Sequence, residues 1–370
     1  MYLEEEGQNR MNIGIITHHY IKNYGAFLQT YALQQYLVEK YPQANVFIIN
    51  YVNRKHEIIN VCGCFRFFAK RESLKAYVQK IKLPKTFSKA EKENFHLTKR
   101  VHCAEEINKL GLDVIIIGSD EVWNYEDKAV SCVKFAIGLQ AKRIVAYAPS
   151  CGSVNLEHSI PDYVQKGLHN FTHISVRELG AETLVERVLG KRPKRVADPT
   201  FLYNFPVYED DVTKKWKNEK YILMYYCDKL PKEGVERLKT LMKKKRIKLL
   251  GAGEYAKYYS AITVNLSPFQ WIEMFRNAQF VFTGTFHGAV FSILMQRNFA
   301  AFLTNPSRIK KVKSLLEEFS LSDRIFQLGE WDKMEQLTNT AIDYSIVQEK
   351  KEKIRQESYA YLDQVLLGLD

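Results

Sequence analysis

The segment Phe280–Met295 carries the residue pattern that points most directly to chemistry. An apolar run, Phe280-Val-Phe, predicts a buried strand, and a pattern that suits a helix follows the break at Thr283-Gly-Thr285. His287 stands at this junction, directly before Gly288. Ligands of open α/β sheets bind where the carboxyl end of a strand faces a helix N-terminus, which attracts anions. An imidazole there can donate a proton at neutral pH; the alternative is a histidine packed in an interface.

A second polar cluster directly follows the apolar run Asp113–Gly118. Ser119 can bind a phosphate oxygen, and Asp120 can orient a sugar hydroxyl or accept its proton. Trp123 can stack on an apolar ligand surface, and Asn124 adds an amide beside it. The alternative is a helix cap with the tryptophan packed below it. Because the polar residues and the tryptophan occur together, we favour a role in binding.

The turn Asn23-Tyr24-Gly25 separates the first apolar strand from a helical pattern. Gly25 permits close approach of the backbone to a ligand. Asn23 is a candidate for ligand binding and equally for capping of the helix. The turn lacks the GxGxxG spacing of dinucleotide-binding loops.

Two arginines are candidate anion ligands. Arg177 follows the strand His173–Val176, where its guanidinium can bind a carboxylate or phosphate in a bidentate manner; the alternative is an ion pair with Glu178. Arg308 begins a basic helix and can reach a bound anion, whereas Arg324 is expected to brace a loop.

Composition restricts the class of protein. Hydrophobic residues make up 46% and charged residues 26% of the 370 residues, which is typical of a globular protein of two or three domains. The net charge of +12 favours anionic partners. No nucleic-acid-binding signature is present, so we expect no nucleic-acid partner. The runs Lys243–Arg246 and Lys310–Lys313 are interpreted as solvated helix faces. The six cysteines form no CxxC pair, so we expect no metal site and reduced thiols.

The order of predicted elements indicates two α/β domains. A strand over 12–17, a helix over 27–40 and a strand over 46–51 form a β-α-β start, which predicts a parallel sheet. We assign 1–10 to a disordered extension, 11–205 to the N-terminal domain, 206–219 to a linker, 220–333 to the C-terminal domain and 334–370 to a helical region. Residues 52–109 are a lysine-rich, mostly helical insertion. Its aromatic and basic stretch Cys62–Phe68 either touches a membrane or, as we prefer, packs against a neighbouring helix.

The order of these motifs resembles the polysaccharide pyruvyl transferase family. The resemblance rests on motifs spread over most of residues 11–326, each weak alone but specific in this order. They are Asn23-Tyr24-Gly25-Ala26 with Gln29–Leu33, Gly118–Asn124, Tyr147–Ser150, Ser175–Glu178, Asp198–Thr200, Phe286–Ser292, and Ser307-Arg308 with Leu315, Leu321 and Arg324.

The resemblance implies two Rossmann-like domains facing a cleft, as in GT-B glycosyltransferases, with the C-terminal helix packing back toward the N-terminal domain. The implied activity transfers pyruvate from phosphoenolpyruvate to two hydroxyls of a sugar in a bacterial surface polysaccharide or its lipid-linked precursor. A cyclic ketal forms and phosphate leaves. The implied location is the cytoplasm, at the inner face of the membrane, with no cofactor beyond the phosphoenolpyruvate co-substrate. Neither the acceptor sugar nor the oligomeric state is specified.

The resemblance also suggests roles for the candidate residues. His287 is the general acid and Asp120 orients or deprotonates the acceptor. One branch of the family carries an arginine where this chain has Thr285, so Arg308 becomes the substitute candidate. Donor-binding residues are then Arg177, Thr285, Gly288 and Arg308, and acceptor or cleft residues are Asn23, Tyr24, Gly25, Ser119, Trp123 and Asn124.

Two other functions remain open at this level. A GT-B nucleotide-sugar glycosyltransferase has the same two domains and cleft, and its helix N-termini bind a diphosphate. A non-catalytic scaffold of polysaccharide assembly would instead use the basic surface and the aromatic insertion.

Overall fold

Two parallel β-sheets form the centre of the molecule in the computed structural model, which describes residues 10–67, 72–225 and 230–368. Residues 1–9 of the expected extension, together with Phe68 and Cys227, lie outside the described residues. The expected α/β class with two Rossmann-like domains is confirmed. None of the described helices is long and apolar enough to span a bilayer.

The N-terminal sheet has the order β2-β1-β3-β4-β5-β6, with every pair parallel. Its central strand β3 is a continuous run, Val114-Ile-Ile-Ile, whose side chains are all buried, as expected when helices cover both faces. The strands are β1 (Asn12–Ile16), β2 (Asn45–Ile48), β3 (Val114–Ile117), β4 (Arg143–Ala146), β5 (His173–Val176) and β6 (Lys194–Arg195); the flanking helices are α1 (Tyr24–Lys40), α6 (Asp162–Leu168) and α7 (Leu179–Leu189).

The insertion between β2 and β3 is helical, and its last part returns to the sheet. Ile48 donates to the carbonyl of His96, at 2.8 Å between N and O, which ties the chain after α4 to the edge strand β2. The helices are α2 (Arg54–Phe65), α3 (Leu74–Lys80), α4 (Leu83–Asn94) and α5 (Ala104–Asn108).

The C-terminal sheet has the order β11-β10-β9-β7-β8 and is also parallel. Its strands are β7 (Tyr221–Tyr225), β8 (Lys248–Gly251), β9 (Phe280–Thr283), β10 (Phe299–Phe302) and β11 (Ile325–Phe326). Its helices are α9 (Lys232–Lys245), α10 (Pro268–Asn277), α11 (Phe286–Leu294), α12 (Pro306–Glu318) and α13 (Trp331–Leu337).

The segment interpreted as a linker contains a helix, α8 (Asp211–Lys217). A capping box forms between Asp210 and Thr213, so that the first turn has its amides satisfied. Trp216 is buried, and the Asp210 carboxylate accepts a hydrogen bond from Gln270 of α10 at 2.6 Å. The acidic, proline-punctuated sequence therefore folds against the C-terminal domain.

The long C-terminal helix α14 (Tyr344–Leu367) packs on the N-terminal domain, as expected. The Tyr361 hydroxyl donates to the Ala146 carbonyl at 3.1 Å, and the Arg143 guanidinium donates to the Val365 carbonyl at 2.8 Å. At its other end, the Tyr344 hydroxyl donates to the Arg297 carbonyl at 2.6 Å. Since Arg297 belongs to the C-terminal domain, α14 ties the two domains together.

The two domains also share an apolar core. The ring of Tyr24, at the start of α1, stacks on Trp271 of α10 with 5.3 Å between centroids. This contact fixes the N-terminus of α1 against the C-terminal domain. A cavity between the domains lies next to this end of α1.

Candidate active site

A cavity of about 400 Å³ lies between the domains, at the carboxyl ends of strands from both sheets. Such positions are where open α/β proteins bind ligands. Its N-terminal face is formed by His18, Ile21, Asn23, Ala26, His56, Asp120, Glu121, Asn124 and Asp127. Its C-terminal face is formed by Tyr225, Thr285, Phe286, His287, Arg308 and Lys311.

His287 is the second residue of α11, and its imidazole packs against the start of α1. A Cβ atom added to Gly25 would overlap the His287 ring, so only glycine permits this approach. The Nε2 atom is buried and makes no hydrogen bond to the described residues; the nearest carboxylate oxygen, Oδ2 of Asp198, is 3.8 Å away. The imidazole is thus held firmly, and its Nε2 atom is left without a hydrogen-bond partner among the described residues.

The start of α11 is fixed by its cap and by a glycine. The Thr285 hydroxyl accepts a hydrogen bond from the Gly288 amide at 3.0 Å, as an N-cap residue does. A Cβ atom on Gly288 would overlap the Thr283 hydroxyl, so glycine allows α11 to start close to β9. Thr285 therefore faces the cavity and caps the helix at once, whereas Gly288 acts through packing.

Burial lowers the pKa of His287 below its usual value. The carboxylates of Asp198 and Asp120 oppose this effect, and the charges of Arg177 and Lys311 add to it. The imidazole is therefore mostly neutral at pH 7 before a ligand binds. A bound anion would favour protonation.

The C-terminal face of the cavity is cationic. Arg308 and Lys311 lie one turn apart on α12 and both line it. Lys311 is 9% exposed at its side chain and forms an ion pair with Glu121 of the N-terminal domain. Although burial alone would raise the pKa of Glu121, the charge of Lys311 holds it below its usual value. We had interpreted Lys311 as part of a solvated face, and the structure contradicts this: it is a buried cavity residue.

The N-terminal face combines carboxylates with uncharged imidazoles. Asp120 lies in the left-handed region with φ of 75°, an uncommon conformation for a residue with a side chain, and it belongs to the loop that follows β3. The rings of His18 and His56 lie edge to face, 5.3 Å apart, and burial lowers the pKa of both. The adjacent histidines His18 and His19, which follow the first strand, are the sequence signal for this face, and they are not among the candidates predicted from the sequence.

Lys134 lies close to this face, and its charge affects the two imidazoles. Its side chain is buried, which lowers its pKa to about 7 in spite of the nearby charges of Asp120 and Asp127. The ammonium group lies 5.8 Å from the centroid of the Tyr20 ring. The positive charge of Lys134 also lowers the pKa of His18 and His56.

Arg177 lies behind the cavity and does not line it. Its Nη1 atom is 2.6 Å from Oδ2 of Asp198, and the guanidinium carbon stacks 4.4 Å from the centroid of the Phe286 ring. Because the guanidinium lies behind the cavity and pairs with Asp198, the structure supports a positioning role through Asp198 rather than the direct donor contact that the sequence predicts.

Three other candidates are buried without lining the cavity. Ser119 donates to the Ala148 carbonyl at 2.8 Å, Trp123 donates to the Lys134 carbonyl at 2.9 Å, and Tyr24 stacks on Trp271. The three side chains make contacts within the protein and do not face the cavity. The expected stacking of Trp123 on a ligand therefore does not fit this structure.

Asn23 and Asn124 do line the cavity. The Asn23 side chain accepts a hydrogen bond from the Ala26 amide at 3.2 Å, so it caps α1 while facing the cavity. The capping role is therefore confirmed, and ligand binding by Asn23 stays a prediction.

Two Rossmann-like domains with a polar cavity at their strand ends define the GT-B-like class of fold. The chain is similar in fold to S. aureus MnaA in its structure with UDP (TM-score 0.51, 12% identity, 96% of this chain and 97% of that chain covered). It is likewise similar to Arabidopsis thaliana UGT89C1 (TM-score 0.51, 9% identity, 97% and 99% covered). A search of curated proteins finds no significant match. The chain belongs to the polysaccharide pyruvyl transferase family, whose model matches residues 23–306.

Proposed function

We propose that this protein transfers pyruvate from phosphoenolpyruvate to two hydroxyls of a sugar, forming a cyclic ketal and releasing phosphate. The acceptor belongs to a bacterial surface polysaccharide or its lipid-linked precursor, and the reaction takes place in the cytoplasm. Membership of the pyruvyl transferase family supports the reaction class. The observation that carries the proposal is the position of His287, which lines the cavity between a cationic face and a face of carboxylates and imidazoles. Its Nε2 atom has no hydrogen-bond partner among the described residues.

Donor binding is assigned to the C-terminal face. Phosphoenolpyruvate carries a phosphate and a carboxylate, and Arg308, Lys311 and the N-terminus of α11 offer complementary positive potential. Binding of these negative charges beside His287 would raise the pKa of its imidazole. The donor would thereby generate the protonated acid that the next step needs.

The chemistry requires a proton at carbon C3 of the donor. Protonation of C3 by His287 moves the electron pair of the C2–C3 double bond into the new C–H bond and leaves positive charge at C2. An acceptor hydroxyl oxygen then bonds to C2 and loses its proton. The C2–O bond to phosphate breaks, and the second hydroxyl oxygen bonds to C2 to close the ring. Proximity and the positioned acid are the main sources of acceleration, the acid contributing about 10²- to 10⁴-fold.

The proton balance of the reaction determines which groups the N-terminal face has to supply. Two hydroxyl protons leave the acceptor; one replaces the proton that His287 gives to C3, and the other ends on the released phosphate. The site therefore needs groups that accept protons from hydroxyls. We assign Asp120 as the first base and the neutral imidazoles of His18 and His56 as candidates for the second, since all three line this face. Asn124 and Asp127 would orient the sugar by hydrogen bonds.

Phosphate release from phosphoenolpyruvate tests the proposal. The full chain is incubated with the donor and a panel of lipid-linked oligosaccharides and water-soluble glycans, and the products are analysed by mass spectrometry for the added pyruvate ketal. We expect phosphate release that depends on one acceptor class. Thermal shift measurements accompany the assay, because a ligand that binds the native state raises its apparent stability. Stabilisation by nucleotide sugars, without stabilisation or turnover by phosphoenolpyruvate, would overturn the proposal in favour of glycosyl transfer.

A further inference from the structure

The insertion helices α2 and α3 expose large apolar side chains. Ile58 is 60% exposed, Ile59 57% and Leu74 69%. Phe65 and Val78 are exposed as well, and α2 contains no fully buried residue. Phe67 packs on Tyr77, with 5.0 Å between ring centroids, yet it also stays exposed. Packing against a neighbouring helix, the interpretation that we preferred from the sequence, therefore covers only part of this apolar surface.

The exposed residues of α2 share one side of the helix. Lys55 and Ile59 are four residues apart and lie on the same side, with Ile58 beside them, and the exposed Arg66 directly follows the end of the helix at Phe65. The other side faces the protein: the Asn60 side chain accepts a hydrogen bond from the Lys22 amide at 2.8 Å, and His56 lines the cavity. The outward side is thus apolar at its middle and basic at its ends.

Helix α3 repeats this arrangement. Leu74 and Val78 are four residues apart on its exposed side, and Lys75 and Lys82 are exposed beside them. Over 54–85 the sequence contains nine basic residues and two acidic ones: Arg54, Lys55, Arg66, Lys70, Arg71, Lys75, Lys80, Lys82 and Lys85 against Glu57 and Glu72. Apolar residues flanked by lysine and arginine are typical of helices that lie on anionic membranes.

We propose that Ile58, Ile59, Phe65, Leu74 and Val78, here called the docking face, bind the surface of an anionic lipid bilayer. The apolar side chains enter the boundary between headgroups and acyl chains, and the flanking cations contact lipid phosphates. Charge argues against a second copy of the chain as the occupant, because two such surfaces would bring like charges together. The bilayer is the partner whose charge and apolarity both match.

The docking face lies close to the cavity. His56 and the docking-face residues Ile58 and Ile59 lie on different sides of α2, and a helix with its side chains is about 10 Å across. Bound in this way, the chain would hold its cavity near the headgroups. This consequence for a lipid-linked acceptor rests on the proposed function, whereas the membrane binding itself does not.

Co-sedimentation with vesicles tests the docking face without any substrate. The full chain is mixed either with anionic vesicles, which contain phosphatidylcholine and phosphatidylglycerol in a ratio of about 3:1, or with neutral vesicles of phosphatidylcholine alone. We expect binding to the anionic vesicles that weakens as salt is raised. The double variant Ile58→Ser, Ile59→Ser should lower the partition coefficient at least about tenfold. Leu328→Ser is the matched control, because Leu328 is 67% exposed far along the chain in the C-terminal part, and it should bind as the wild type does.

Unfolding temperatures verify that the variants remain folded. The proposal is overturned if the wild type ignores anionic vesicles, or if Leu328→Ser loses as much binding as the double variant. It is also overturned if sedimentation velocity shows a wild-type dimer that the double variant dissociates while vesicle binding is unchanged. Because no turnover is measured, these outcomes are independent of the phosphoenolpyruvate assay.

Discussion

The two faces of the cavity are both built from loops that follow parallel strands, yet they differ in charge. The C-terminal face presents Arg308 and Lys311 beside the start of α11, whereas the N-terminal face presents Asp120, Asp127 and histidines with lowered pKa. Similar folds have therefore produced one surface suited to an anion and one suited to an uncharged polyol. His287 belongs to the first face but touches the second through Gly25. Under the proposed function, the charge of each face, rather than the shared architecture, distinguishes the donor side from the acceptor side.

The largest effect is expected at the residue shared by both faces. His287→Gln should lower phosphate release about 10²- to 10⁴-fold, because the amide cannot supply a proton to C3. The unfolding temperature should stay close to that of the wild type. His169→Gln, at an exposed position, serves as the control and should retain full activity. A rate near that of the wild type in His287→Gln would remove the general acid from the proposal.

Substitution of Arg177, which lies behind the cavity, should lower the stability of the fold and leave donor binding nearly unchanged. Arg177→Met leaves the buried Asp198 carboxylate without its cation, which should lower the free energy of unfolding by about 3–5 kcal/mol in chemical denaturation. Arg54→Met, at an exposed position of α2, should change it by less than about 0.5 kcal/mol. An unchanged stability together with a strongly raised KM for phosphoenolpyruvate would instead assign Arg177 to direct donor contact.

The histidines beside the N-terminal face predict a pH dependence of stability. Burial lowers the pKa of His19 from 6.5 to about 4. The unfolded chain therefore binds this proton at a higher pH than the native state, so the free energy of unfolding falls as the pH decreases from 6.5 to 4. The contribution of His19 alone is about 3 kcal/mol. We expect His19→Gln to flatten this part of the stability curve, while His102→Gln at an exposed position leaves it unchanged; equal slopes in both variants would contradict the argument.

The smallest effect separates two neighbouring lysines of α12. Lys311→Met should raise the KM for phosphoenolpyruvate about 10- to 100-fold, since a charge-assisted hydrogen bond contributes about 1.5–3 kcal/mol. Lys310 is exposed and does not line the cavity, so Lys310→Met should leave KM unchanged. Equal donor titrations for the two variants would show that the C-terminal face does not recognise the donor through Lys311.

Much of the fold could be predicted because its signals are local. The strand His173–Val176 has the bounds that its residue pattern indicates, and the helix predicted over 27–40 ends where α1 ends, at Lys40. Helix α8 was missed because its capping box lies among acidic residues and prolines that are typical of loops. Its burial depends on α10, which the local sequence does not contain.

The candidate site was predictable only in part. The sequence places Asp120, Asn124, Thr285 and His287 at strand ends, and the structure brings these residues to one cavity. The sequence could not indicate whether Trp123 faces the cavity, because an indole can stack on a ligand or pack in an apolar core equally well. Lys311 was missed for a related reason: the packing of α12 decides which lysine of the run is buried.

The sequence by itself determined the parallel sheets and the strand ends where ligands bind, because hydrophobic runs and helix starts are encoded by neighbouring residues. Only the tertiary structure decided which strand-end residues face the cavity. The Arg177 guanidinium pairs with Asp198 and stacks on the Phe286 ring, whereas the His287 imidazole contacts Gly25 of the other domain. Such choices depend on partners that are distant along the chain, and they are made only when the two domains pack together.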